Sequence, residues 1–199
     1  MKDKNVLELG GRRGGLSLWA ASLGANVVCS DLENPEKIAF PIHNKYPELQ
    51  KLITYEAVNA LDIHYENHFD TICFKSVLTQ VGSLHEDSGR KMLRQIHKAL
   101  KDNGQLLFVE NLTGTNFHMW VRKRFRKYRR PSLYFYRFNE LYELCSEYFN
   151  QHYCTVGFAG AFGLNELTKM FLAHIDTALF DKSLPENWKY IFIDFCIKK

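Results

Sequence analysis

Short apolar runs alternate with helically spaced apolar positions through the first half of the chain. The runs are typical of buried strands and the spaced positions of helices with one apolar face, so together they predict βαβ units and a parallel sheet. The five predicted strands are Asn5–Leu9, Asn26–Ser30, Ile53–Val58, Phe69–Phe74 and Gln105–Glu110. Between them we predict a helix over Gly14–Leu23, a helical or irregular stretch over Pro35–Leu52, and a helix over Ser88–Leu100.

The pattern continues after residue 110 with fewer and less regular elements. We predict a helix over Asn139–Phe149, a strand over Tyr153–Phe158, a helix over Asn165–Phe180 and a final strand over Tyr190–Ile197. With 199 residues, of which 46% are hydrophobic and 24% charged, the chain has the size of one globular domain.

Several classes of protein are excluded by the same pattern. No apolar run approaches the roughly 18 residues of a membrane span, and Lys2–Glu8 lacks the apolar core of a signal peptide. Five cysteines without a CxxC pair fit neither a disulfide framework nor a zinc site, so we predict buried reduced thiols. We therefore expect a cytoplasmic protein, with peripheral contact to the inner membrane surface as a further possibility raised by its charge distribution.

The net charge of +4 is unevenly distributed. Residues 111–139 contain eight basic residues and no Asp or Glu, so the rest of the chain has 18 basic and 22 acidic residues and a net charge of −4. If Thr115 caps a helix, Phe117 and Trp120 fall on one face of it and the basic residues on the others. Three interpretations stay open: a solvated helix packing its aromatic face on the sheet, a helix on an anionic membrane through residues 117–130, and a nucleic-acid contact.

A glycine-rich loop follows the first predicted strand. The chain reads Glu8-Leu9-Gly10 and then Gly11-Arg12-Arg13-Gly14-Gly15 before the helix, which is typical of a ligand loop at the carboxyl end of a strand. Asp31 ends the next strand, about 20 residues on, where a carboxylate can accept both hydroxyl groups of a ribose. A tight turn without a ligand and a nicotinamide dinucleotide site are the alternatives, and bulky Arg12 disfavours the second.

These residues resemble class I S-adenosylmethionine (SAM) dependent methyltransferases. The first motif of that family alternates hydrophobic residues with an acid and then has three spaced glycines, and here it reads Leu7-Glu8-Leu9-Gly10-Gly11-Arg12-Arg13-Gly14. Ala57-Val58-Asn59-Ala60, Phe69-Asp70-Thr71-Ile72 and Leu100-Lys101-Asp102-Asn103-Gly104 are similar to its later motifs, so the resemblance covers roughly residues 5–110. Arg12 departs from the pattern, since it replaces the middle glycine; it could project away, touch the SAM carboxylate or block the site.

The resemblance implies a Rossmann-like α/β fold. We expect a mostly parallel seven-stranded sheet with helices on both faces, an antiparallel last strand and a helical insertion after strand five. A single domain over 1–199 would then comprise a cofactor-binding half (1–110), a basic aromatic helical insertion (111–150) and the C-terminal strands and helix (151–199).

The resemblance also implies SAM as cofactor and S-adenosylhomocysteine as product. It puts Glu8 and Gly10 near the methionine end, Asp31 at the ribose and Asn59 at the adenine amino group, with Asp62 as the nearby substitute. The full set of predicted cofactor-binding residues is Glu8, Gly10, Gly11, Gly14, Asp31, Leu32, Asn59, Ala60 and Lys75.

The acceptor side offers weaker signals. The candidates are His85, Glu110, Asn111 and His118. For each of them a role as a solvated loop residue or a structural hydrogen-bonding group is favoured over catalysis. We select Glu110 and His118 as the catalytic pair, to orient or deprotonate an acceptor. After strand four the chain has Ser76, Thr79 and Gln80, uncharged groups that make a poor divalent-metal site, so we predict no metal.

The predicted function is methyl transfer from SAM to a small-molecule or lipid-linked acceptor, at oxygen and without a metal. The basic segment favours an anionic acceptor. Two alternatives remain: an RNA methyltransferase, which the acidic body disfavours, and a non-catalytic SAM-fold protein that binds a partner. The sequence does not indicate an oligomeric state.

Overall fold

The computed structural model of the protein describes residues 1–125 and 133–199 and contains a seven-stranded sheet with strand order β3-β2-β1-β4-β5-β7-β6. The strands are β1 (Asn5–Leu9), β2 (Asn26–Asp31), β3 (Ile53–Ala57), β4 (Phe69–Lys75), β5 (Leu100–Asn111), β6 (Phe149–Val156) and β7 (Ile191–Lys198). The helices are α1 (Gly15–Ser22), α2 (Glu36–His43), α3 (Pro47–Gln50), α4 (Leu78–Val81), α5 (Ser88–Ala99), α6 (Asn116–Phe125), α7 (Phe138–Ser146), α8 (Glu166–Ile175) and α9 (Asp181–Ser183).

The strand directions agree with the predicted fold. β3, β2, β1, β4 and β5 pair in parallel, whereas β7 pairs antiparallel with both β5 and β6. The last strand along the chain is therefore the antiparallel one, as predicted. In this strand order the carboxyl ends of β1, β4 and β5 are neighbours at one edge of the sheet.

Both faces of the sheet are covered, because alternate residues of the same strand belong to different apolar cores. On one face Leu7 and Phe74 pack in a core that includes Leu93 of α5 and Leu141 of α7. On the other face Val6 packs in a core with alanines of α1 and α2. The predicted placement of helices on both faces is confirmed.

Two predicted strand boundaries are wrong. The turn Asp102-Asn103-Gly104 lies inside β5, where the register against β4 shifts between Phe69 and Thr71, so it is a bulge in a longer strand. Asn103 has a φ of 57°, and β5 pairs with β4 on both sides of it, at Leu100 and at Gln105. β6 starts at Phe149, earlier than the predicted Tyr153. The sequence predicts Phe149 as the end of a helix, and the structure has it as a buried strand residue.

The cysteines follow the prediction with one exception. Cys29, Cys73, Cys145 and Cys196 are buried free thiols, but Cys154 is exposed. Across the described ranges, no helix combines the length and the apolar character required to cross a membrane.

The basic segment begins as the predicted helix. Thr115 caps α6, since its hydroxyl oxygen accepts from the His118 N–H at 3.3 Å. Of the three open interpretations, packing of the aromatic face on the sheet does not hold for Phe117 and Trp120, which are 57% and 55% exposed. Among the side chains of α6 that the structure describes, that of His118 is buried. Residues 126–130, the rest of the predicted basic helix and of the predicted membrane contact, lie outside the described residues, as do the side chains of Arg122 and Phe125.

Candidate active site

The glycine loop connects β1 to α1 at the carboxyl edge of the sheet. Gly10, Arg12 and Gly14 have φ values of 65°, 42° and 66°, so three positions of the loop have left-handed backbone. A Cβ on Gly14 would lie 2.3 Å from His43 Nε2, and one on Gly10 would lie 2.7 Å from a Val77 methyl carbon. Backbone conformation and packing therefore both require glycine at these two positions.

Arg12 takes up the conformation that glycine would favour, and its side chain is exposed. The Arg12 N–H donates to Asp31 Oδ2 at 3.2 Å. The Arg12 backbone thereby links the loop to the end of β2.

Glu8 stabilises the start of α1. Its buried carboxylate accepts from the Ser17 N–H at 2.8 Å and from the Ser17 hydroxyl group. Burial raises the pKa of Glu8 above its ordinary value, and these hydrogen bonds oppose the shift. The carboxylate thus acts as an N-terminal cap of the helix and fixes the direction in which the loop leaves β1.

His43 packs against the loop at Gly14, a role that no motif in the sequence indicates. Its Nε2–H donates to the Gly14 carbonyl at 3.0 Å, and the Tyr55 hydroxyl donates to its Nδ1 at 2.8 Å. The His43 and Tyr55 rings stack with their centroids 5.6 Å apart. Burial lowers the pKa of His43, which favours the neutral ring that these partners require.

Asp31 and Asn59 lie at the ends of neighbouring strands. Asp31 is half-buried, and its Oδ1 accepts from the N–H of exposed Leu32 at 2.7 Å. Ala57 pairs with Asp31, and the Val58 N–H donates to the Asp31 carbonyl at 2.8 Å, so Asn59 follows directly after this contact. Asn59 is exposed and accepts from the Leu61 N–H at 2.9 Å. Ala60, beside Asn59, is half-buried.

Glu110 lies at the end of β5 and holds the segment that follows β4. It is fully buried, and its two oxygens accept from the Leu78 N–H at 2.7 Å and from the Thr79 hydroxyl at 2.6 Å. Burial raises the pKa of Glu110 to about 7, more than these hydrogen bonds lower it. Asn111 donates to the Ser76 hydroxyl oxygen at 3.0 Å, which joins the same two strand ends a second time.

His118 has different partners from Glu110. Its Nε2–H donates to the Phe158 carbonyl at 2.9 Å, and its Nδ1 accepts from the Thr115 N–H at 3.1 Å. A carbonyl oxygen only accepts, so these partners assign the proton to Nε2 of a neutral ring. The structure therefore uses His118 to join α6 to the segment after β6. Two further predicted residues are exposed: Lys75 of the cofactor set, at the end of β4, and His85 of the acceptor-side set, after α4.

A cavity of about 1140 Å³ lies beyond the end of β5. Thr113, Phe117 and Lys123 line it from the β5–α6 side, and Arg137, Phe158 and Trp188 from the other sides. It combines aromatic walls with two cationic side chains and one acidic side chain, Glu140. Such a lining fits a ligand with an apolar body and an anionic group.

Comparisons with known proteins agree with this architecture. A family described as a methyltransferase domain matches residues 1–152. A search of curated proteins finds no match. Phosphoethanolamine N-methyltransferase 2 of Haemonchus contortus, solved with phosphomonomethylethanolamine and S-adenosylhomocysteine, is similar with a TM-score of 0.68 and 17% identity over 100% of this chain and 49% of that chain.

Two further solved structures share the fold. Geranyl diphosphate C-methyltransferase of Streptomyces coelicolor A3(2), solved with Mg²⁺, geranyl diphosphate and S-adenosylhomocysteine, has a TM-score of 0.67 and 11% identity over 99% of this chain and 73% of that chain. A SAM-dependent methyltransferase of Aquifex aeolicus has a TM-score of 0.61 and 12% identity over 98% of this chain and 83% of that chain.

These likenesses concern the fold, and this chain spans about half the length of the Haemonchus enzyme. The family match is more specific, because it covers residues 1–152 of 199 and includes the glycine loop, Asp31, Asn59 and the β4–β5 edge. The resemblance seen in the sequence is thereby confirmed, and the chain belongs to the methyltransferase domain family of class I SAM-dependent methyltransferases.

Proposed function

We propose that the protein transfers a methyl group from SAM to an oxygen atom of an anionic small-molecule or lipid-linked acceptor, without a metal ion. The observation that carries the proposal is the cavity beyond β5, which has Lys123 and Arg137 in an aromatic lining at the same edge of the sheet as the glycine loop. Cations positioned there would bind an acceptor through its negative charge.

The residues at the carboxyl edge fit the cofactor. Gly10 and Gly15 are exposed, and a Cβ on Gly15 would meet nothing within 4 Å, so the loop has room for a ligand against its backbone. The methionine end would lie along Gly10, Gly11 and Gly14, with Glu8 behind them. The half-buried carboxylate of Asp31 would accept the ribose hydroxyls, with Leu32 beside it. Asn59, Ala60 and Lys75 complete the proposed set.

SAM supplies a methyl group already activated on a sulfonium. A lone pair of the acceptor oxygen forms the new C–O bond while the electrons of the C–S bond return to sulfur, giving a neutral thioether. An ionised acceptor oxygen needs no base for this step. That suits a site in which both oxygens of Glu110 and both ring nitrogens of His118 are engaged by the protein.

We assign Glu110 and His118 to positioning. Glu110 would hold the segment after β4 against the cofactor site, and His118 would hold α6, which lines the acceptor cavity. Glu110→Ala and His118→Ala should each lower kcat while SAM affinity stays within about twofold, because neither residue belongs to the cofactor set. An unchanged kcat in both variants would remove them from the mechanism.

The side chains after β4 support a reaction without a metal. Thr79 donates its hydroxyl to Glu110, and the Gln80 amide donates to the Ser76 carbonyl at 3.0 Å, so both are engaged in hydrogen bonds of the protein itself. Within residues 1–125 and 133–199 no group of three or more His, Cys, Asp or Glu residues is arranged to bind a metal. A divalent ion would find uncharged ligands here.

The neighbours support an anionic acceptor. The Haemonchus and Streptomyces structures contain phosphomonomethylethanolamine and geranyl diphosphate, which are both anionic small molecules. We test the acceptor by incubating the protein with methyl-labelled SAM and a lysate separated into small-molecule, lipid and RNA fractions. Label in an alkali-labile or ether-linked product of the first two fractions supports the proposal; label in RNA alone would overturn it.

Cofactor binding has its own test. Asp31→Ala should weaken SAM binding by about 100-fold or more in calorimetry, because it removes two hydrogen bonds to a charged group, each worth about 1.5 kcal/mol. Glu33→Ala is the matched control, since Glu33 is an exposed carboxylate two residues further on. Equal affinity in the two variants would contradict the ribose assignment. No SAM binding by the unaltered protein would favour the non-catalytic alternative.

A further inference from the structure

Two helices expose large apolar side chains on one side of the molecule. Phe117 and Trp120 of α6 are 57% and 55% exposed, and α8 with the residue two before it exposes four more. We call this set the α6–α8 surface; its members are Phe117, Trp120, Leu164, Leu167, Met170 and Phe171. Contiguous exposed apolar side chains of this size mark an interaction site.

The six side chains form one surface because Phe162 connects the two helices. The ring centroids of Phe162 and Phe117 are 5.1 Å apart, and Leu164 follows two residues after Phe162. In α8, Leu167, Met170 and Phe171 are spaced three and four residues apart, which puts them on one helical face. No residue of Glu166–Ile175 is buried.

The exposed side chains are carried by an anchored segment. Buried Asp176, just after α8, accepts from the Ala159 and Gly160 N–H groups at 2.7 and 2.8 Å. Asp181 accepts from the Gly157 N–H at 2.7 Å. These carboxylates join the residues that follow α8 to the segment directly after β6. The position of α8 is therefore fixed by hydrogen bonds although its apolar face is exposed.

Cationic side chains border the surface. Lys123 and Arg124 of α6 are exposed and lie three and four residues after Trp120, on the same side of the helix. They belong to the 111–139 segment, which has eight basic residues and no acid. Aromatic and aliphatic groups next to cations match the boundary between acyl chains and anionic headgroups.

We propose that the α6–α8 surface docks the protein on a membrane that contains anionic lipid. Trp120, Phe117, Leu167 and Phe171 enter the interface, and Lys123 and Arg124 meet the headgroups. A second copy of the chain fits this surface less well, because it would bring the Lys123 and Arg124 side chains of two copies together. RNA also fits less well, since Leu164, Leu167 and Met170 offer no rings on which bases can stack.

Docking is independent of methyl transfer, so vesicles test it without an acceptor. We would measure co-sedimentation with vesicles of phosphatidylcholine alone and with about one third phosphatidylglycerol, at about 0.05 and 0.15 M salt. The protein should bind the anionic vesicles, more weakly at the higher salt, and bind the neutral vesicles at least about tenfold more weakly.

Matched variants identify the surface. Leu167→Ser/Phe171→Ser should lower the partition coefficient by about a hundredfold, because each buried side chain contributes about a factor of ten. Ile38→Ser/Leu84→Ser is the control, since these side chains are 50% and 58% exposed but lie outside the surface. Vesicles should also shift the tryptophan emission to the blue, and Trp120→Phe should remove that shift.

Three results would overturn the proposal. They are no binding to anionic vesicles at low salt, equal loss in the surface and control variants, and a dimer in sedimentation velocity that the Leu167→Ser/Phe171→Ser change converts to a monomer without vesicle binding. The last result would assign the surface to a second copy of the chain. Loss of vesicle binding with unchanged SAM affinity would separate this proposal from the proposed function.

Discussion

Glu110→Gln removes one buried titrating group and keeps its shape. Glu110 is fully buried, and burial raises the pKa of its carboxyl from 4.5 to about 7 against the opposing hydrogen bonds from Leu78 and Thr79. At about 1.4 kcal/mol per pKa unit, this difference corresponds to about 3 kcal/mol of unfolding free energy. Glutamine can accept from the Leu78 N–H and donate to the Thr79 oxygen, so the substitution can keep both contacts.

The raised pKa fixes the sign of the pH dependence. The folded state holds a proton that the unfolded chain releases near pH 4.5, so the stabilisation from Glu110 is fully present below that pH. It is lost as the pH rises through about 7, whereas glutamine does not titrate. The free energy of unfolding of the variant minus that of the unaltered protein should therefore increase by about 2 to 3 kcal/mol between about pH 5 and pH 8.

Urea unfolding at several pH values measures this difference, and all other titrating groups cancel between the two proteins. Glu33→Gln is the control, because Glu33 is exposed, and its difference should stay within about 0.5 kcal/mol. A Glu110→Gln difference that stays constant with pH, or that decreases, would show that burial does not dominate the environment of this carboxyl.

Two more substitutions follow from buried contacts. Asp194 is 1% exposed and burial raises its pKa to about 6, so its ionisation destabilises the fold as the pH rises. Above about pH 6, Asp194→Asn should therefore increase the free energy of unfolding by about 2 to 3 kcal/mol, with little change near pH 4. Gly14→Ala adds a Cβ 2.3 Å from His43 Nε2 at a φ of 66°. It should lower the free energy of unfolding by about 3 kcal/mol or more in the unaltered protein but by only about 1 to 2 kcal/mol in a His43→Ala background. A double-mutant cycle measured by urea unfolding tests this difference.

Much of the fold could be predicted because strands and helices leave different apolar periods in the sequence. β1, β2 and β4 are apolar runs buried on both faces, and the order of strands and helices followed from them. The start of β5 could not be predicted, since Asp102-Asn103-Gly104 has turn chemistry and the parallel pairing of Leu100 with Phe69 is a long-range contact. Propensity indicates the local bend but not whether a strand continues through it.

The candidate site was predicted to the extent that a motif encodes it. The glycine loop and Asp31 are close in sequence and adjacent in space. His43 is 29 residues from Gly14, and its contact with that carbonyl depends on how α2 packs, which no local pattern indicates. Similarly, the helical period put Phe117 and Trp120 on an apolar face but could not determine whether the sheet would cover it. That depends on His118, whose hydrogen bonds to Thr115 and Phe158 orient α6 with the histidine inward.

The orientation of α6 connects the two proposals and gives a test of the acceptor. Phe117 belongs to the α6–α8 surface and also lines the cavity beyond β5, whereas Leu167 and Phe171 belong to the surface alone. A lipid-linked acceptor could therefore keep its chain in the membrane while its anionic group reaches Lys123 and Arg137. In that case Leu167→Ser/Phe171→Ser should raise KM for an acceptor embedded in vesicles by at least about tenfold and leave kcat unchanged, with no effect on a water-soluble analogue of the same headgroup. An equal loss of kcat on both acceptors would mean that these side chains support the fold of the active site, and the acceptor would then be recognised from solution.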